Sequence, residues 1–375
     1  TGLLKMTGSI TGGSGGTAGA VTLSLGSTGS QNGNYDISGN ITKGGASTIT
    51  LTKRGNGTAS VSGVNVIDTV NNSNEVGYSL IFSGGNTTIT TGLIYGCNSS
   101  ITNTVRVTGG ILNLNMADGV NGWGTGVAGS ILRVSGGTVN TTSGRAIDPS
   151  IVIDGGTLNI NPGASRMSFN SANTTLTVSS GALNVGAVTN GARFGNLSGN
   201  NAAQTGSGNF TANQSGGIVS VVGAGAATTT FSLGGNDTLS STVIAYNLSG
   251  GTLDVGNSTT NTNGYIQLGA NANGNGTTTL ALSGTGKLIS RFNPATAGGI
   301  SGAQAGAVQV LSLTGGTLVA GRIDATNLRG SIGDTNGTII RKGAPDTIEA
   351  YVREPLKADL KAAVERIARG GGTPL

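Results

Sequence analysis

Leu248-Ser249-Gly250-Gly251-Thr252-Leu253-Asp254-Val255 is one copy of a phrase that recurs along most of this chain. Clean copies are Val107-Thr108-Gly109-Gly110-Ile111-Leu112-Asn113-Leu114, Val134-Ser135-Gly136-Gly137-Thr138-Val139-Asn140, Ile153-Asp154-Gly155-Gly156-Thr157-Leu158-Asn159-Ile160 and Leu313-Thr314-Gly315-Gly316-Thr317-Leu318-Val319. Looser copies are Ser180-Gly181-Ala182-Leu183-Asn184-Val185 and Ser215-Gly216-Gly217-Ile218-Val219-Ser220. Counted from the first glycine of each copy, the phrase stands at 84, 109, 136, 155, 181, 216, 250, 284 and 315, so the gaps are 25, 27, 19, 26, 35, 34, 34 and 31 residues. A recurring period of this size means stacked units. Gaps this uneven fit one turn of a β-solenoid, with two or three short strands and corner loops of varying length. A propeller blade needs four hairpin-linked strands and a steadier period.

Inside each copy the pattern alternates. In Thr157-Leu158-Asn159-Ile160, Leu158 and Ile160 share one face of a strand, and Thr157 and Asn159 share the other. The Gly-Gly before them reads as a corner, because glycine reaches positive φ without a Cβ clash. Stacked in register, Val139, Leu158, Leu183, Val219 and Leu253 form one inward column. Asn140, Asn159, Asn184, Ser220 and Asp254 form an outward one, where like polar residues can hydrogen-bond along the stack. One turn alone cannot bury its apolar side; its neighbours do that.

Composition agrees with this. Gly is 70 of 375 residues without a strict third-residue period, which excludes collagen. Only 9% of residues are charged and 3% aromatic, and the regular Val/Ile/Leu alternation points to strands rather than disorder. A solenoid also escapes the size limit that would split 375 residues into several globular domains. The net charge of +5 does not mark a nucleic-acid binder, since the basic residues are scattered singly with few aromatics among them. Arg106, Arg133, Arg145, Arg166 and Arg193 recur about once per turn; they could line one face, but they read first as solvated surface. No apolar run reaches the length of a membrane-spanning helix. The single cysteine, Cys97, permits no internal disulfide. Thr1 is not an initiator Met, so the chain is expected to be a mature secreted product with its signal removed. Its polar, Thr- and Asn-rich composition suits an extracellular or cell-surface location.

The segment Ile49-Thr50-Leu51-Thr52-Lys53-Arg54-Gly55-Asn56-Gly57-Thr58-Ala59-Ser60-Val61-Ser62-Gly63 is followed by Leu80-Ile81-Phe82-Ser83-Gly84-Gly85-Asn86-Thr87-Thr88-Ile89. Leu-Thr-Lys-x-Gly-x-Gly-Thr, then Ser-Gly, then a Gly-Gly-x-Thr strand resembles the autotransporter-associated β-strand repeat of secreted bacterial surface proteins. Tyr246-Asn247-Leu248-Ser249-Gly250-Gly251-Thr252-Leu253 is similar to the same broad group of extracellular β-solenoids. The resemblance covers roughly residues 41–340. It implies a right-handed parallel β-helix at the cell surface and brings no catalytic residues with it. The family pattern includes a membrane β-barrel of about ten or more strands, and none is legible in this sequence.

The fold expected is therefore all-β, a right-handed parallel β-helix over residues 1–340, followed by a charged segment, 341–375. Thr252–Val255, Tyr265–Leu268 and Thr278–Leu282 read as the three strands of one triangular turn, and Val308–Leu313 with Leu318–Ala320 as a last one. Twelve of the 35 charges lie in residues 341–369. A short strand near Thr347–Val352, which includes Tyr351, precedes a helix at about 355–369, with Pro355 in its first turn and Gly370 after its end. Leu356, Leu360, Ala363, Val364 and Ile367 lie on one face of that helix. Such a stripe caps the last coil or docks onto a neighbouring subunit.

Chemistry is harder to find. β-Helices host polysaccharide lyases and glycosidases, and glycoside hydrolysis needs two facing carboxylates. Asp36, Asp68, Glu75, Asp118, Asp148, Asp154, Asp237, Asp254, Asp324 and Asp334 are spread singly. Only Asp154 and Asp254 read as sharing a repeat position, several turns apart, and Asp154 reads as a turn residue beside Gly155. The absence of histidine removes the usual triads and the commonest metal ligand. Cys97 reads as a small buried side chain. Gly12-Gly13-Ser14-Gly15-Gly16 lacks the Lys-Ser/Thr of a phosphate loop, and Asn and Thr stand where a calcium roll would need Asp. No cofactor and no metal is expected. Asn86-Thr87-Thr88 and Asn257-Ser258-Thr259 match the glycosylation triplet, which an Asn/Thr-rich chain produces by chance.

The expectation is a structural extracellular protein that builds a surface layer, filament or matrix as a homo-oligomer or head-to-tail polymer. The alternative is an adhesin for surface glycans, with Trp123 as a candidate sugar contact. A carbohydrate-active enzyme ranks third.

Overall fold

The computed structural model of the chain describes residues 3–12, 19–25, 34–43, 48–53, 58–72, 79–94, 104–115, 130–142, 147, 149–161, 167–169, 174–186, 192–196, 209–222, 231–234, 243–256, 264–269, 276–291, 299–302, 308–324 and 328. Among them every regular element is a strand: 20 strands join in one parallel sheet system and six in a second. The chain is a parallel β-helix, as the repeat requires.

The described segments lie on three faces. On the first face, eleven parallel pairings join twelve segments, from Leu3–Met6 and Asn34–Ile37 to Thr277–Leu282 and Val308–Leu313. The second face runs in the same way from Ile10–Gly12 and Ile41–Lys43 to Lys287–Ser290 and Thr317–Ala320. The third begins at Ala20–Leu25 and Thr48–Lys53, and its later part runs from Met167–Phe169 to Ile323–Asp324. Thr252–Val255, Ile266–Leu268 and Thr277–Leu282 occupy three different faces, which makes the triangular turn read from the sequence. At about 4.8 Å per coil the stack is roughly 50 Å long.

From the middle of the chain, one continuous strand crosses the corner between the first and second faces. Thr104–Leu114, Ile131–Thr141 and Ser150–Ile160 are each 11 residues long and bend at their Gly-Gly. The second glycine does the turning: Gly110, Gly137 and Gly251 have φ of 67°, 65° and 73°. Close stacking excludes any side chain there. A Cβ on Gly137 would stand 2.5 Å from the carbonyl oxygen of Gly110 in the coil below.

The register also corrects the gaps counted from glycines. Thr157 pairs with Ala182 and Ala182 with Ile218, so Gly181 is the second corner glycine of its copy, with φ of 77°. Thr252 pairs with Lys287, so Gly284 lies one residue before the repeat's first glycine position. There the long strand breaks into Thr277–Leu282 and Lys287–Ser290.

The core is a set of inward columns. Val139, Leu158, Leu183, Val219 and Leu253 are consecutive register partners and fully buried, as expected. Where turns lengthen, the interior fills with aromatics: Phe169, Phe194, Phe210, Phe231 and Tyr246 stack with ring centroids 4.7–6.2 Å apart.

The two ends of the stack differ. Leu4 and Leu311 stand in equivalent inward positions of the first and last described coils. Leu4 is 54% exposed, because no described strand lies beyond Leu3–Met6. Leu311 is 4% exposed, and Leu328, just past the last strand, packs against the core. Residues 341–375 lie outside the described residues, and with them the expected strand, the helix at 355–369, and Tyr351, Leu356, Leu360, Val364 and Ile367.

Candidate functional site

The side chains that the fold arrays most regularly are the outward columns of the second face. Asn113, Asn140, Asn159 and Asn184 are consecutive register partners. Each donates from Nδ2 to the Oδ1 below: Asn184 to Asn159 at 2.9 Å, Asn159 to Asn140 at 2.9 Å, Asn140 to Asn113 at 3.0 Å. Asn113 donates in turn to Asn86 at 2.9 Å. Every amide of the ladder points the same way, and Asn113 Nδ2 also lies 3.5 Å from Thr88 Oγ1. Ser220 and Asp254 continue this column, as the sequence pattern required. Asn86, the asparagine of one glycosylation triplet, is thus engaged in the ladder.

The column beside it carries Ile111, Thr138, Thr157, Ala182, Ile218 and Thr252. Earlier coils contribute Val64 and Val66 to the same two columns. From Val64 to Ser220 neither column holds a charge. Asp254 is the first, and Arg291 grips it through Nε at 2.8 Å and Nη2 at 2.7 Å. That pair holds the Arg291 guanidinium above its ordinary value.

Charges gather instead at the first face. Arg106 and Arg133 are direct register partners. Arg106 Nε donates to Ser135 Oγ at 3.1 Å, and Arg133 donates through Nε and Nη2 to Asp154 Oδ2. Burial raises the Asp154 carboxyl, but hydrogen bonds from Arg133 and Ser135 and the charges of Arg133 and Arg106 outweigh it and hold it below 3.8. Its stabilising contribution is present above that value and is lost as pH falls through the lower folded value. Asp154 is therefore an ion-pair acceptor rather than a turn residue. Nor does it share a repeat position with Asp254: Asp154 precedes its Gly-Gly on the first face, and Asp254 follows its own on the second. Arg193 lies on the third face, so the recurring arginines do not line one surface; Arg145 and Arg166 lie outside the described residues.

Several inward polar residues have no signal in the alternation. Asn65 is buried, accepts from the Ile41 amide at 2.9 Å, and donates to Gly63 O and Thr87 Oγ1, both at 2.9 Å. Gln214 Oε1 accepts from Tyr246 Oη at 2.7 Å, and its Nε2 donates to Thr252 O at 2.9 Å. Burial raises the Tyr246 phenol, which stays a neutral donor. Lys53 points inward, with Nζ 6.0 Å from the Tyr35 ring, and burial lowers its ammonium to about 8.

Trp123, Cys97, Glu75, Asp118, Asp148, Asp237 and Asp334 lie outside the described residues. Among those described, no three His, Cys, Asp or Glu side chains come together as a metal site would need. Among the described residues no helix is long and apolar enough to cross a membrane.

Comparison with protein-family models, curated proteins and solved structures finds no match, so the resemblance of residues 41–340 to the autotransporter-associated repeat rests on its motifs alone.

Proposed function

We propose that this chain is a structural β-solenoid, a rod subunit of an extracellular or cell-surface layer, filament or matrix. The observation that carries this reading is the unbroken ladder on the first and second faces, where twelve segments each pair in parallel with the next. Such a ladder resists local opening, because each coil's hydrogen bonds are shared with the coil above and below. The regular side chains, amide ladders and buried columns, serve the rod's own cohesion.

Electron microscopy of the purified chain tests the reading. Rods joined into filaments or sheets are the expected result; separate rods at every concentration would remove it. Deletion of residues 341–375 separates the two roles of the tail. A docking tail leaves a soluble rod that no longer assembles. A capping tail leaves a rod whose end coil frays and aggregates.

A second reading is an adhesin for glycans. It is favoured by the outward amide and hydroxyl columns, whose polar groups repeat once per coil along one face. A glycan array and a reducing-sugar assay distinguish adhesin, enzyme and scaffold.

A further inference from the structure

Eight large apolar side chains are exposed among the described residues, and five of them, Val64, Val66, Ile111, Ile218 and Val319, lie on the outward side of the second face. Ile111 is 42% exposed, Ile218 50% and Val64 55%. Each stands in a strand that could carry a polar residue at no cost to the core. On the same face the neighbouring column is polar but tied down, since its amides bond along the stack rather than outward. Over the seven coils from Val64 to Ser220 neither column carries a charge, while Arg106, Arg133 and Asp154 sit on the adjoining face. The border at the corner is glycine, which leaves the approach flat.

We infer that the second face is a lateral contact between rods, and that its occupant is the same face of a second copy of this chain. The inference deepens the structural reading and rests on it. Three features choose this occupant. The face is flat and regular along its length, as two sheets packing face to face require. Its seven coils from Val64 to Ser220 are charge-free, so two copies meet there without repulsion and without burying an unpaired ion. Its apolar side chains are spaced out along one rod, so only an equally long, equally regular partner covers them together. The flat area is roughly 400 Å² a side, about half that of a standard interface. A single pair is therefore weak, and the contact gains strength where many rods lie side by side.

Sedimentation equilibrium over about a hundredfold range of concentration tests this with three proteins: the intact chain, the double variant Ile111→Lys/Ile218→Lys, and Val243→Lys. Val243 is exposed on the first face and serves as the control. Circular dichroism checks that all three keep the same strand content. The intact chain and Val243→Lys are expected to rise above 36.5 kDa with concentration, and the double variant to associate at least tenfold more weakly. Association of the double variant at wild-type strength overturns the assignment of this face and leaves the scaffold reading standing. An intact chain that stays at monomer mass, with only separate rods in micrographs, overturns both. Monomeric protein that pellets with a microcrystalline polysaccharide, and fails to do so as the double variant, identifies a flat glycan surface as the occupant and also overturns the proposal.

Discussion

Lys53 shows most clearly what a single residue does here. It is register partner to Leu25, occupies an inward position and is fully buried. Burial pulls its ammonium from 10.5 down to about 8. A lysine whose folded value lies below its unfolded one costs stability whenever the unfolded chain is protonated. Above about pH 10.5 both states are neutral and there is no cost. As pH falls toward 8 the unfolded chain gains the proton first, and below 8 the penalty is complete, on the order of 3 kcal/mol at most. The urea midpoint of the intact chain is therefore expected to rise between pH 8 and 10.5. Lys53→Met should flatten that rise; an identical rise in the variant would place its source elsewhere. The Leu51-Thr52-Lys53 phrase was readable as a strand. That its lysine turns inward follows from parity with Ile49 and Leu51, but a charge at an inward position argues against itself until the neighbours are seen.

At the scale of the element, the corner is decisive. The two glycines of a copy differ in φ, and Gly84 differs from the other first glycines in space. Gly137 has φ of 65° and no room for a Cβ; a Cβ on Gly136 would also stand 2.4 Å from Thr108 O, whereas one on Gly84 would meet Ser62 Cβ at 3.4 Å and Ser62 O at 3.9 Å, ordinary contacts. Gly137→Ala forces backbone strain and parts two stacked corners, and a loss of about 3 kcal/mol or more is expected. Gly84→Ala should stay within about 0.5 kcal/mol. Thermal melts of the two variants check the difference; equal losses would mean that both glycines stack alike. A glycine marks the corner of every copy, yet its phase was not legible where Gly-Gly is broken, as in Ser180-Gly181-Ala182 and Gly284-Thr285-Gly286. Gly181 and Gly284 each stand one residue from the position that counting assigned them, because only pairing shows which glycine lies over which.

For the whole molecule, stability comes from neighbouring coils, so unfolding need not be all-or-none. The middle coils have a partner on each side, and the first coil has one on a single side, with Leu4 half exposed. Hydrogen exchange should rank amide protection accordingly: slowest in Ile131–Thr141 and Ser150–Ile160, fastest in Leu3–Met6. Uniform protection along the stack would mean that the rod opens as one unit.

By itself the sequence determined the β-helix, its inward column from Val139 to Leu253 and its outward asparagine column. An alternating pattern repeated at every coil leaves one way to bury its apolar side, and stacking then puts like residues over like. The tertiary structure alone decided the phase of each corner, the inward Lys53, Asn65 and Gln214, the pairing of Arg133 with Asp154, and the gathering of exposed apolar residues on one face. Each of these depends on which residue of the next coil lies opposite, and coils of 19 to 36 residues hide that until the strands are in register.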